Sequence, residues 1–245
     1  MYYFLFTVQY DGTDFCGWVK QKNQVTIQGE IEKAITLVAK NSYFKLIGAS
    51  KTDAGVHALN QKVWVALNFN PNISGFLRAI NKILPISIRI MEMKVIKKEF
   101  KVRDCVKKTY HYQINLETEG ILKNRFYFQP NYLIDVKKLK KVTKLFLGMH
   151  DFINFSGLKK ADLKIIESKR EITAINLKVK NKVLIIEFIA KSFIRYQIRM
   201  IVGALLAYNL NKITIQNIKD ALECKRTKLP YIANSKGLTL FSIEY

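Results

Sequence analysis

Cysteine and histidine are scarce: Cys16, Cys105 and Cys224, with His57, His111 and His150, are all that 245 residues contain. An odd number of widely spaced cysteines builds neither a disulfide framework nor a zinc pattern. So few histidines beside them leave a His/Cys metal site without a donor set. No apolar run approaches the roughly 20 residues of a membrane span. The N-terminus lacks a basic region ahead of its short apolar run, and Asp11 and Asp14 follow soon after, so it does not read as a signal peptide. The expectation is a cytoplasmic protein. Nucleotide-cofactor signals are missing too. Gly12 and Gly17 have Walker A spacing, but Trp18-Val19 stands where Lys and Ser/Thr are required. No G-x-G-x-x-G follows a strand, and there is no G-x-S-x-G elbow. Asp53 and His57 are four residues apart, yet no serine nucleophile is marked, so a hydrolase triad has little support.

Acidic residues are the other shortage. Asp and Glu total 19 against 41 Lys and Arg, a formal charge of +22, and the sequence pI is near 9.8. A field of that size favours a polyanion, most commonly a nucleic acid. Residues 1–100 carry a net +6 and residues 101–245 a net +16, so the C-terminal half is the stronger electrostatic platform. A chain generally rich in Lys, Ile and Asn would also inflate surface lysine, and Lys137, Lys138, Lys140, Lys141 and Lys144 fit the solvated face of a helix. With 49% hydrophobic and 12% aromatic residues the chain is long and apolar enough to fold around a sizeable core.

Patterning predicts a mixture of strands and helices. Tyr2–Tyr10 reads as a strand ending at the Asp11-Gly12 turn signal. Ile31, Ala34, Ile35 and Val38 predict a helix over 27–40, and Leu77, Ile80 and Leu84 another, from near Ser74 to Pro85. Lys62–Leu67 and Ile88–Ile96 read as strands. In the second half Tyr110, Tyr112, Ile114 and Leu116 alternate with polar residues at a period of two. A helix is expected from an Asp135 N-cap to a Gly148 C-cap. Strands follow at 172–179 and 183–190, helices around Ile198–Leu205 and after Thr214, and a final strand at 238–245. Segments 117–125 and 155–169 read as loops able to touch a ligand. There is no literal repeat and no sustained parallel βαβ pattern. The halves 1–104 and 105–245 read as structural cousins.

The most informative stretch is Gly48–Gln61, where Lys51-Thr52-Asp53-Ala54-Gly55-Val56-His57 precedes a strand-like run. Asp bonds its own backbone and Gly takes positive φ, so this turn can hold one carboxylate rigidly at the end of a sheet. A lone D-x-G more often only makes the turn. Its company changes the reading. Asp53 with its flanks resembles the motif R-T-D-x-G-V-H-A of the tRNA pseudouridine synthase A family. Tyr10–Trp18 is similar to that family's Y-D-G-T-x-F-x-G-W, and Thr26–Glu32 to its T-V-Q-G-x-L-E. Phe100–Arg103 with Lys108-Thr109-Tyr110 resembles F-x-A-R followed by K-x-Y. His150–Phe155 matches H-D-F-x-x-F. Phe193–Arg199 with Ile201-Val202-Gly203 matches F-x-x-x-x-x-R-x-I-V-G, and Gly237-Leu238 the terminal G-L. These motifs hold in order from residue 10 to residue 238.

The resemblance implies an α+β fold, with two similar α/β halves around a central mixed, mostly antiparallel sheet and an active-site cleft between them. It implies that Asp53 is the catalytic carboxylate for isomerising uridine to pseudouridine in the anticodon stem-loop of tRNA, at positions 38–40. Either attack on ribose carbon or removal of a ribose proton serves as its first step, and the base must leave its stack to reach it. Tyr110 would stack on the target uracil; a core tyrosine on a half-buried strand is the plainer alternative. Arg199 would pair with Asp53 through a charge-assisted fork. Its place at the start of an apolar helix favours a partly buried, paired Arg over an exposed one. Lys51 stands where the family has Arg. It keeps the charge for positioning an RNA phosphate or base, but cannot make bidentate contacts. Met200 and Arg195 replace the family's usual Asn and aromatic residue. The resemblance further implies a homodimer that uses no metal or organic cofactor; the expectation of no membrane association rests on the lack of a spanning apolar run.

Two other classes remain open on the sequence. A non-catalytic tRNA- or RNA-binding relative would keep the fold without the chemistry, and the Lys51 departure is its first sign. A general DNA binder lacks an obvious recognition-helix motif here.

Overall fold

The computed structural model describes residues 1–117, 121–159, 161–225 and 228–245. They divide into two compact units, Met1–Val106 together with Thr239–Tyr245, and Lys107–Leu238. Both mix helices with mostly antiparallel sheet, an α+β architecture.

In the first unit, β1 (Tyr2–Tyr10) buries Phe4, Phe6, Val8 and Tyr10 and leaves the residues between them less covered, as the two-residue period requires. Helix α1 (Ile27–Val38) starts where Thr26 Oγ1 accepts the Gly29 N–H at 3.2 Å, and it buries Ile27, Ile31, Ala34 and Ile35. Next come β2 (Phe44–Gly48), β3 (His57–Leu67), α2 (Ile73–Ile83) and β4 (Ile88–Val95). An Asn72 cap opens α2, and the helix stops at Leu84, which Pro85 forces out of helical conformation. Strand β1 lies between β3 and β4, antiparallel to both. The other edge of β3 pairs antiparallel with β2 over Val63–Leu67.

The second unit contains β5 (Lys107–Asn115), α3 (Val136–Thr143), β6 (Gly148–Asp151), β7 (Lys169–Ile172), β8 (Ala174–Lys180), β9 (Val183–Ala190), α4 (Gln197–Asn209) and α5 (Ile215–Leu222). Strand β9 sits between β5 and β8, antiparallel to both, while β6 and β7 form a separate ribbon. Helix α4 is apolar nearly all round and is buried from Ile198 through Ala207 except at Arg199. The last strand, β10 (Leu238–Glu244), returns to the first unit, where Thr239 and Leu240 pair in parallel with His57 and Ala58 of β3. Tyr245 then packs on Phe100, ring centroids 4.8 Å apart, and donates to Val102 O at 2.8 Å.

Several elements differ from the sequence expectation. Asp135 does cap α3, but the helix ends at Thr143 and a 3-10 turn, Lys144–Phe146, follows. Gly148 opens β6 with φ +86 instead of closing the helix. The strand expected over 172–179 is split, because Ile172 ends β7 and Ala174 begins β8. Strand β3 begins at His57, five residues ahead of the apolar run, and β2 was not anticipated. Within the expected loops, Ile121–Arg125 and Asp162–Lys164 are 3-10 turns, and a third, Ile153–Phe155, leads into the second loop, while residues 118–120 and 160 lie outside the described residues.

The H-D-F-x-x-F segment is core. Phe152 and Phe155 have no exposure; Phe155 meets Phe146 edge-on at 5.2 Å and Phe152 at 6.5 Å. Asp151 Oδ1 accepts the Ile153 N–H at 3.0 Å, and the Asn154 amide donates to Ala221 O at 3.1 Å, fastening this turn to α5. Phe155→Ala removes the centre of that cluster and should destabilise the protein by about 3–5 kcal/mol. Urea unfolding followed by tryptophan fluorescence and circular dichroism measures it.

Candidate active site

Asp53 lies on the loop between β2 and β3, half-buried, with Lys51 exposed and Thr52 buried beside it. The loop turns at Ala54-Gly55. Gly55 has φ +74, and the Val56 N–H donates back to Asp53 O at 3.2 Å. Both flanks are fixed by backbone. Trp18 N–H donates to Thr52 O at 3.0 Å and Gly55 N–H to Phe15 O at 3.2 Å, so the Phe15–Trp18 segment runs along the loop. Two glycines permit the approach. A Cβ at Gly17 would stand 2.8 Å from Thr52 O, and one at Gly12 would stand 2.1 Å from Val56 O. Any side chain at either position would push the Asp53 loop away.

Side chains complete the mounting. Gln61, wholly buried on β3, donates from Nε2 to Ser50 O at 2.7 Å and accepts the Ser50 N–H on Oε1 at 3.1 Å. One amide thus satisfies both backbone groups where the chain leaves β2. Tyr10 Oη and Thr52 Oγ1 are 2.8 Å apart, and the Tyr10 ring lies 6.0 Å from that of the buried Trp18. His57 Nδ1 is 3.1 Å from both Gly12 N and Asp11 Oδ1. It accepts from the glycine when unprotonated and donates to the carboxylate when protonated. The first helix is tied to the same segment: Ile27 N–H donates to Gly17 O at 3.1 Å and Gln28 N–H to Trp18 O at 3.0 Å.

Gln61 and Tyr10 were missed as parts of the site. Gln61 carried a readable signal, since it shares the inward register of Val63 and Val65 on an otherwise apolar stripe. A buried polar group there must have a partner.

Tyr110 and Arg199 belong to the second unit. Tyr110, on β5, is 6% exposed and meets Phe193 edge-on at 5.4 Å, 86° between planes. Arg199, on the first turns of α4, is half-buried. Its Nε donates to Ala233 O at 2.9 Å, and the Ala233 N–H returns to Arg199 O at 2.9 Å. Gly203 makes this possible, because a Cβ there would lie 2.4 Å from Tyr231 O. The guanidinium also sits over the Tyr196 ring, 5.2 Å from its centroid, with Arg195 4.7 Å from the same ring. A cavity of about 720 Å³ within this unit is lined by Arg199, Gly203, Lys212, Tyr132, Tyr231 and Asn234. Beside it Tyr112 Oη donates to Asn234 O at 2.9 Å, and burial pushes that phenol well above its ordinary pKa. Among the described residues no group of three or more His, Cys, Asp or Glu side chains could hold a metal ion, and no helix is long and apolar enough to cross a membrane.

A family profile described as tRNA pseudouridine synthase matches residues 142–245. Over its whole length the chain is 47% identical to the tRNA pseudouridine synthase A of Mesoplasma florum, covering 99% of that protein. The chain belongs to the tRNA pseudouridine synthase A family. The Spiroplasma kunkelii synthase is 39% identical, with 100% of this chain and 95% of that protein covered. The Clostridium acetobutylicum synthase is 33% identical, with 98% of each covered.

The mounting of the Asp53 loop can be tested without touching Asp53. Gln61→Leu is close in size but removes the amide that bonds both Ser50 backbone groups, at a cost of about 2–3 kcal/mol. Chemical denaturation should show that loss, and hydrogen exchange should show faster exchange at Ser50–Val56 than in wild type.

Proposed function

We propose that this chain isomerises uridine to pseudouridine in tRNA, at uridines 38 to 40 of the anticodon stem-loop, with Asp53 as the catalytic carboxylate. The observation that carries the reading is the mounting of Asp53, a half-buried carboxylate on a loop held by backbone bonds to Phe15 and Trp18, in a member of the tRNA pseudouridine synthase A family. The reaction breaks the N1–C1′ bond and forms C5–C1′. C5 gives up its proton and N1 gains one, so nothing is oxidised or reduced. A carboxylate held at the ribose C1′/C2′ starts this sequence, and a rigid mounting supplies the orientation it needs.

Asp53 comes from the half 1–104, and Tyr110 and Arg199 from the half 105–245. Tyr110 is assigned to stack on the uracil; its edge-on contact with Phe193 supports a ring held in one orientation. Arg199 is assigned to pair with the carboxylate, and the Ala233 bond that fixes its guanidinium supports that role. Exposed Lys51 is assigned to phosphate or base positioning. The excess of basic residues suits an RNA partner engaged chiefly through phosphates. The protein acts as a homodimer in the cytoplasm and needs no metal or organic cofactor.

The test is tritium release from tRNA carrying 5-³H-uridine, with wild type beside Asp53→Asn. Wild type should release tritium, and the variant should fall to background while binding tRNA within a few-fold of wild type. Normal turnover by the variant would remove Asp53 from the chemistry. Silence from both proteins, with tight tRNA binding retained, would leave an RNA binder without this activity.

A further inference from the structure

At the outer edge of the first unit, α2 and β4 enclose a groove of about 510 Å³. Three of its lining side chains, Arg78, Lys82 and Arg89, are cationic and exposed, and none is acidic. The floor between them is fixed. The Asn81 amide donates to Ile90 O at 2.7 Å and accepts the Ile90 N–H at 2.8 Å, joining α2 to β4. Arg89 Nη1 donates to Asn81 O at 3.1 Å, which draws this arginine round the strand edge toward the helix. Arg78 and Lys82 are one helical turn apart and have no hydrogen-bond or ion-pair partner among the described residues. The acidic residue of β4, Glu92, is engaged elsewhere, 2.9 Å from Lys94 and 3.3 Å from Thr7 Oγ1.

The sheet register puts the Arg89 end of this groove at the same end of the sheet as the Asp53 loop. Tyr10 of β1 pairs with Ala58 of β3 on one side and Ile88 of β4 on the other. Ile88, next to Arg89, is therefore two strand spacings, about 10 Å, across the sheet from Ala58 at the start of β3. The same end is bonded directly: the Asp11 N–H donates to Ser87 O at 2.9 Å, and Asp11-Gly12 contacts His57, at the end of the Asp53 loop. A concave cluster of cations with no carboxylate in its lining, at this end of the sheet, suits the backbone of a strand whose base is delivered to Asp53.

We propose that the Arg78–Lys82–Arg89 groove takes a phosphodiester of the tRNA strand flanking the reacting uridine, an inference that rests on the tRNA reading above. The test is the double variant Arg78→Gln/Lys82→Gln, with tRNA affinity measured across a salt series and tritium release measured against tRNA concentration. Losing that phosphate contact should flatten the log–log salt dependence by roughly 0.7–0.9 and weaken low-salt affinity about ten-fold. KM should rise while kcat stays within two-fold. Lys137→Gln/Lys141→Gln on α3 removes the same charge and should change affinity far less. An unchanged salt slope and KM in the double variant, or an equal loss in the α3 control, would overturn the groove while wild-type turnover left the functional reading standing. Wild-type protein that bound no tRNA would overturn both.

Discussion

Two stretches of backbone in the first unit approach one another more closely than side chains allow, and the surroundings of Asp53 depend on that approach. Gly12 and Gly17 lie against the carbonyls of Val56 and Thr52, at distances that no Cβ could share. Because the segment between them is so close, its own backbone can bond the loop directly. Its outward carbonyls at Gly17 and Trp18 are then available to the first N–H groups of α1, and Asp11 reaches Ser87 ahead of β4. The loop, a helix start and an edge strand are thus referred to one short piece of chain. Backbone bonds of this kind do not titrate near neutrality and are weakly screened by salt. The placing of the loop backbone accordingly depends little on the ionic conditions on which RNA binding depends.

Local chemistry was the most legible part of the fold. Thr26, Asp135 and Thr214 each cap a helix through a side-chain oxygen, a signal contained within four residues. Gly148 misled for the same reason that made it informative. Positive φ serves a helix end and a strand entry equally, and only the 3-10 turn after Thr143 decides between them. Strand β2 escaped notice because it is short and its Lys45 and Ile47 are exposed, so its pattern resembles a loop. What binds it is the long edge of β3, and tertiary pairing of that sort leaves little trace in a five-residue stretch.

The candidate site divides along the same line. A turn able to hold Asp53 could be read from Asp and Gly alone, and the burial of Tyr110 from the alternation of its strand. A role for Tyr110 or Arg199 could not, since alternation looks the same for a core tyrosine, and a helix arginine becomes distinctive only once Ala233 is seen to hold it. The family motifs also differ in what they build. Y-D-G-T-x-F-x-G-W supplies the glycines that admit the Asp53 loop, I-V-G the one that brings Ala233 to Arg199, and H-D-F-x-x-F an aromatic core. Shared sequence here marks close packing as often as chemistry.

Strand β10 has a bearing on how the molecule is made. It pairs with the first residues of β3, directly after the Asp53 loop, yet is separated from them by the whole second unit. A ribosome must therefore synthesise residues 107–238 before the first unit can acquire its last strand and the Tyr245–Phe100 contact. Until then the edge of β3 at His57 and Ala58 stays unpaired, and closing it means bringing together segments about as distant along the chain as this topology contains. The unit begun first is thus completed last, and nascent chains carry an open sheet edge beside the loop whose geometry matters most.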